Sequence, residues 1–239
     1  MKPNRIVAAV LLLAASVPAY AEIDRLQTLS QSEFRELSED LGAALSYKPL
    51  QPIEPLGVLG FDIGVAATGT KLKHPDLFQR ATGNPDFPST IVVPSVRASL
   101  GLPWNFDLSA MYSAVPKTGA TLGGGALSWA FVSGDTWMPA IGIRASYTKV
   151  FGVDQLDFST AGVDGSLSKG FGPFTPYIGA GKIWLASNPI STTGLQSEAL
   201  SQTKVFGGIG IHISVVNFVV EYDKTGAVNS YGAKFGLRF

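Results

Sequence analysis

Imidazole chemistry has two candidates in this chain, His74 and His212. His212 lies in GIGIHISVVNFVVEY, where a turn at Val215, Val216 and Asn217 would set it opposite Val219 with Glu221 diagonally adjacent. A His and Glu pair so placed would orient a general base. Acyl transfer would also need a serine in a recognisable motif beside it, whereas the neighbours of His212 are isoleucines. His212 therefore reads as a hydrogen-bonded interior histidine, and no catalytic residue is assigned. His74, in KLKHPDLF, has Asp76 close by, but a metal site needs three or four ligands and no others can be named. No metal and no cofactor are expected. Cysteine is absent, so neither thiolate chemistry nor a disulfide framework is available.

The remaining polar residues make sense only through the elements that carry them. From Gly57 onward the hydrophobic period is two, the period of a β-strand with one apolar and one polar face. Ten such segments are predicted: 57–68, 91–102, 105–114, 121–132, 138–150, 156–168, 174–185, 204–214, 218–223 and 230–239. Most exceed the usual soluble strand and match the ~9–11 residues of a tilted membrane-crossing strand. Connections alternate between tight turns (103–104, 133–137, 169–173, 215–217) and mostly longer loops (69–90, 116–120, 151–155, 186–203, 224–229). That alternation is the signature of an up-and-down barrel with short periplasmic turns. If the apolar rows face lipid, Asp62, Arg97, Asp107, Arg144, Asp164, Lys182, Glu221, Asp223, Lys234 and Arg238 face the lumen. Five acids against five bases predict pairing within the lumen. Aromatic residues gather towards the strand ends, with Trp104, Trp137, Phe171 and Phe239 at the short-turn rim and Tyr112, Tyr147, Phe158, Trp184, Tyr222 and Tyr231 at the other.

Before residue 57 the pattern differs. Lys2 and Arg5 precede the apolar run Ile6 to Val17, and Ala19-Tyr20-Ala21 completes a secretory signal peptide over residues 1–21, with cleavage expected before Glu22. Residues 22–46 are predicted to hold an amphipathic helix. Ser30 and Glu33 form a capping box, Leu29 and Phe34 a staple, and Leu37, Leu41 and Leu45 continue the stripe. The Pro-rich stretch 47–56 follows as an extended linker, and the barrel domain occupies 57–239. The chain after residue 21 has 16 Lys plus Arg (18 less Lys2 and Arg5) against 18 Asp plus Glu, which gives no reason to expect nucleic acid as a partner.

The final residues, YGAKFGLRF, resemble the C-terminal signal of bacterial outer-membrane β-barrels, with Tyr231, Phe235, Leu237 and Phe239 at the matching positions. FTPYIGAGKIW (Phe174 to Trp184) resembles a strand common in the small outer-membrane protein superfamily. The resemblance implies recognition by the barrel assembly machinery, an outer-membrane location, and lipid with lipopolysaccharide as surroundings. The resulting expectation is an all-β fold: a monomeric ten-stranded antiparallel transmembrane up-and-down β-barrel with a short N-terminal amphipathic helix, eight or twelve strands being the alternatives, and both chain ends periplasmic.

Function is bounded more loosely. Inward glycines, among them Gly142, Gly210 and Gly232, remove volume from a lumen that ten strands would otherwise nearly fill. They would open a narrow path for solutes, or receive the helix as a plug from the periplasmic side, or merely ease strand curvature while the helix lies on the inner leaflet. A narrow passive pore or carrier for small or amphipathic molecules is the first expectation, a structural or interaction protein acting through its outer loops the second, and a lipid-modifying enzyme resting on His212 and Glu221 the third.

Overall fold

The computed structural model describes residues 23–114 and 120–239; the expected signal peptide lies outside them. The alternating segments form ten antiparallel strands: β1 (Phe61–Lys71), β2 (Thr90–Leu102), β3 (Phe106–Ala114), β4 (Thr121–Val132), β5 (Ala140–Phe151), β6 (Leu156–Ser168), β7 (Phe174–Pro189), β8 (Glu198–Ile213), β9 (Val216–Thr225) and β10 (Val228–Arg238). Each pairs with its sequence neighbour, and β10 returns to β1 to close the barrel. The closing seam runs from Asp62↔Arg238 to Lys71↔Asn229. Phe239 extends it, exchanging backbone hydrogen bonds with Phe61 at 2.8 and 3.0 Å. The alternating terminal segment thus supplies the strand that removes the last open edge.

Loop lengths depart from expectation in detail. β7 and β8 reach residues 189 and 198, so the long 186–203 loop shrinks to 190–197, and the β9–β10 connection is only 226–227. The 72–89 loop contains an unexpected helix, described below.

The outer surface between the rims is apolar, with Ile63, Leu108, Leu127, Ile143, Val163, Ile178, Val205 and Phe235 exposed. Trp104 (84% exposed), Trp137 (89%), Phe171 and Phe239 ring the short-turn rim, and Tyr112, Tyr147, Trp184, Tyr222 and Tyr231 the opposite rim. This is the surface of a barrel that spans a membrane: aliphatic in the middle, with amphipathic rings at both headgroup levels. Phe158, expected in the upper ring, is instead buried inside.

The N-terminal segment fills the interior. The capping box forms as predicted, with the Ser30 side chain on the Glu33 N–H and the Glu33 carboxylate on the Ser30 N–H, and it starts α1 (Gln31–Leu45). Phe34, Leu37, Leu41 and Leu29 are buried, and Leu45 is partly buried against the same cluster. The cluster extends to strand residues Ile91, Val93, Met111, Leu122, Phe158, Leu185 and Leu200. Residues 47–56, the Pro-rich stretch, then thread the rest of the lumen, with Tyr47, Lys48, Leu50 and Ile53 buried.

Its direction overturns one expectation. Asp24 and Arg25 donate backbone N–H groups to Ala81 O in the 72–89 loop, on the long-loop rim. Phe239 lies on the short-turn rim, beside Phe61. The two ends of the described chain are therefore on opposite rims, and both cannot be periplasmic.

Candidate functional site: the occupied lumen

The site is the contact between the threaded segment and the wall. Near the short-turn rim the Leu56 N–H donates to Asp107 Oδ1 at 3.1 Å, and Ser99 Oγ donates to Gln51 Oε1 at 3.2 Å. At mid-height the wall reads the backbone of the segment. Leu50, with φ of 47°, donates its N–H to Glu221 Oε2 at 2.8 Å. That left-handed conformation costs a leucine roughly 1–2 kcal/mol, which the buried hydrogen bond offsets. Arg97 donates to the Lys48 carbonyl at 2.7 Å while its guanidinium lies over the Tyr47 ring. Lys204 Nζ donates to the Tyr47 carbonyl at 2.7 Å, and Thr148 Oγ1 to the Leu45 carbonyl at 2.9 Å.

One buried ion pair joins segment and wall. Lys48 Nζ is 2.6 Å from Asp223 Oδ1, both side chains being 3% exposed, and Lys204 stands 3.7 Å from the other oxygen of the same carboxylate. Tyr177 OH completes the group by donating to Glu221 Oε2 at 2.7 Å. Two further pairs stay within the wall, Lys234 with Asp62 at 2.7 Å and Arg144 with Asp164 at 3.1 Å. Asp62 also accepts from the Asn217 amide. Each buried charge named here thus meets an opposite charge or a directed hydrogen bond, as burial demands.

The wall glycines fit the segment. A Cβ on Gly232 would fall 2.7 Å from Leu50 Cδ2 and one on Gly210 3.1 Å from Pro52 Cγ, whereas one on Gly142 would meet the Trp129 carbonyl of the wall at 2.4 Å before Ile53 Cγ1 at 2.8 Å. At Gly232 and Gly210 the missing side-chain volume is space that the threaded chain takes.

At the long-loop rim the segment meets α2 (Pro75–Thr82), a helix inside the connection predicted as the 69–90 loop. The signals were present: Pro75 at the first helical position and Gly83, in the left-handed conformation, at the end. Leu77, Phe78 and Ala81 of α2 join the cluster around α1. Glu33 receives Arg80 in an ion pair, and its carboxyl is held down to about 2 by the Ser30 N–H and by Arg80. Asp40 accepts the backbone N–H groups of Lys73 and His74 at 2.9 and 2.8 Å.

The sequence-derived lumen set distributes unevenly. Asp62, Arg97, Asp107, Arg144, Asp164, Glu221, Asp223 and Lys234 are buried on the inner face, and Arg238 is half-buried at the short-turn rim. Lys182 is exposed on the outer face. Ile183 and Leu185 take the inward positions of β7 against the plug, which turns Lys182 outward beside Trp184, where its long stem can carry the ammonium towards the interface. Lys48 and Lys204 were missed. Lys204 shares the inward parity of Gly208 and His212 and was legible; Lys48 stands in the Pro-rich stretch, where no period exists to read.

The His212 and Glu221 pair does not form. His212 is registered with Asn217 and Glu221 with Gly208, because the β8–β9 turn is tighter than expected. His212 Nε2 instead lies 3.3 Å from Arg238 Nη1. His74 Nδ1 lies 3.7 Å from Asp40, at the start of α2. Among the described residues no group of three or more metal-ligating side chains gathers.

No protein-family model matches the chain, and no curated protein matches it. Similar solved structures include the N-terminal β-barrel domain of Pseudomonas aeruginosa OprF, at 13% identity over 77% of this chain and 99% of that one, with a TM-score of 0.40. Neisserial surface protein A is 12% identical over 75% and 95%, TM-score 0.33. The translocator domain of the autotransporter NalP from Neisseria meningitidis is 11% identical over 92% and 98%, TM-score 0.37.

Proposed function

We propose that this chain is an outer-membrane barrel sealed by its own N-terminal segment, acting as a non-conducting anchor that holds a structured outer face. The supporting observation is the seal. Burying Leu26, Leu29, Phe34, Leu37 and Leu41 contributes roughly 8–15 kcal/mol, at about 1.5–3 kcal/mol for each side chain. The Lys48–Asp223 pair and the backbone hydrogen bonds at mid-height add to that. Opening would return these side chains to water and leave Asp223 and Glu221 without their partners from the segment, which favours the closed state over a passive pore. The short-turn rim faces the periplasm in this reading, and the long-loop rim, with α2, faces outward. Recognition of YGAKFGLRF by assembly machinery and contact with lipopolysaccharide belong to the same reading.

A gated conduit is the second reading, favoured by the charges that would line the inner half of an emptied lumen: Arg97, Asp107, Arg144, Asp164, Lys204, Glu221 and Asp223. Planar-bilayer recording decides between them. The chain from residue 22 should be silent, and a version lacking residues 22–56 should conduct if it closes into a barrel. Steady conductance from the intact protein would overturn the anchor reading.

A further inference from the structure

We infer that the protein exports its own N-terminal end: the chain crosses the membrane backwards through the barrel lumen, so that residues around Asp24 are presented on the cell surface. The inference rests on the proposed orientation, with the long-loop rim outward, and adds to it a route and a destination for the N-terminal segment.

Contacts along the segment fix the route one height at a time. Leu56 is held by Asp107, which pairs in register with Gly101 close to the short-turn rim. Leu50 and Lys48 are held at mid-height by Glu221 and Asp223. Higher up, Gln202 Nε2 donates to the Glu39 carbonyl at 3.2 Å and Ser38 Oγ to Ser187 Oγ at 2.8 Å. At the far rim Gln31 exchanges hydrogen bonds with Gln196 in the 190–197 loop, and the Leu26 N–H donates to Gln155 Oε1 in the 152–155 loop. Asp24 and Arg25 then bond to Ala81. Each step towards lower residue numbers is a step towards the long-loop rim, and the segment does not turn back.

The destination is a built surface. Leu26 is wholly buried beneath α2 and the neighbouring loops, while Asp24, Arg25, Gln27 and Thr28 are exposed above it. Arg25 also lies against Gly83, where its guanidinium occupies the space that a side chain there would need. The N-terminal turn is thus a structural part of the outer face, docked on α2.

The absence of native cysteine makes the test direct. Three single-cysteine variants of the full chain are made at exposed positions: Gln27→Cys, Asp86→Cys in the 72–89 loop, and Thr136→Cys on the short-turn rim. Intact cells are treated with a membrane-impermeant maleimide, and permeabilised cells serve as the reference. Labelling of Gln27→Cys and Asp86→Cys on intact cells, with Thr136→Cys at least tenfold weaker until permeabilisation, is the expected result. Labelling of Asp86→Cys without Gln27→Cys would overturn self-export while leaving the orientation standing. Labelling of Thr136→Cys without Asp86→Cys would overturn the orientation itself. Heat-modifiable mobility of each variant on a gel reports whether its barrel has folded, so a missing label cannot be mistaken for a missing fold.

Discussion

At the scale of single residues, the lumen discriminates between a side chain that holds the plug and one that merely stands near it. Lys48→Met removes one partner of a buried ion pair, a change that typically costs about 3–5 kcal/mol because a charge is left without compensation. Asp223 keeps Lys204 at 3.7 Å, so the loss here should fall near the lower end, about 3 kcal/mol. It should appear as faster amide exchange over residues 44–56 with the strands still protected; unchanged exchange there would show that the pair does not hold the segment. Gly232→Val makes the converse test. The new side chain runs into Leu50, and overpacking of this kind costs about 1–3 kcal/mol, whereas at Gly69 a Cβ meets only Thr90 Cγ2 at 3.6 Å. Gly232→Val should lower the barrel's thermal midpoint and expose the segment to protease, and Gly69→Val should do neither.

At the scale of elements, α1 is joined to the outer face by a titratable contact. The Glu33 carboxyl is held at about 2, against an ordinary 4.5, first by the Ser30 N–H and then by Arg80. A carboxyl depressed in the docked state contributes fully above pH 4.5, and that contribution disappears as pH falls towards 2. A spin label on Gln27→Cys should therefore become more mobile as pH falls from 4.5 to 2, and adding Glu33→Gln should flatten the Glu33 part of that change. The same helix shows what was legible in the sequence. Ser30, Glu33 and the 3.6-residue stripe specify α1 locally, and the period of two specifies the strands, so both could be read. Its location could not, because an amphipathic stripe fits the inside of a barrel as well as a membrane surface. Strand parity failed at Lys182, where the plug's demand for Ile183 and Leu185 inside overrides the rule that charge faces the lumen. The His212 register failed because a turn one or two residues tighter moves every partner along the neighbouring strand.

At the scale of the whole molecule, a segment that runs from one rim to the other inside a closed barrel constrains the order of assembly. β1 follows directly on the segment, and β10 is the last strand made, so the β1–β10 seam is the natural last closure. If residues 24–56 lie between the open edges before that seam forms, the N-terminal end never has to thread a finished pore. What the lumen admits is set by size. A helix with its side chains is about 10–12 Å across, whereas a folded domain of about 100 residues has a radius of gyration near 13 Å, hence a far larger diameter. An unstructured tag of about 20 residues, inserted between Glu22 and Ile23, should leave barrel formation and surface labelling intact. A small, stably folded domain at the same position should stop the seam from closing, leaving a chain that runs as unfolded on a heat-modifiability gel; destabilising that domain should restore the folded band. Closure around a domain that stays folded in the periplasm, with Lys48 still protected in the lumen, would require another order of events and would exclude capture of the segment at the seam.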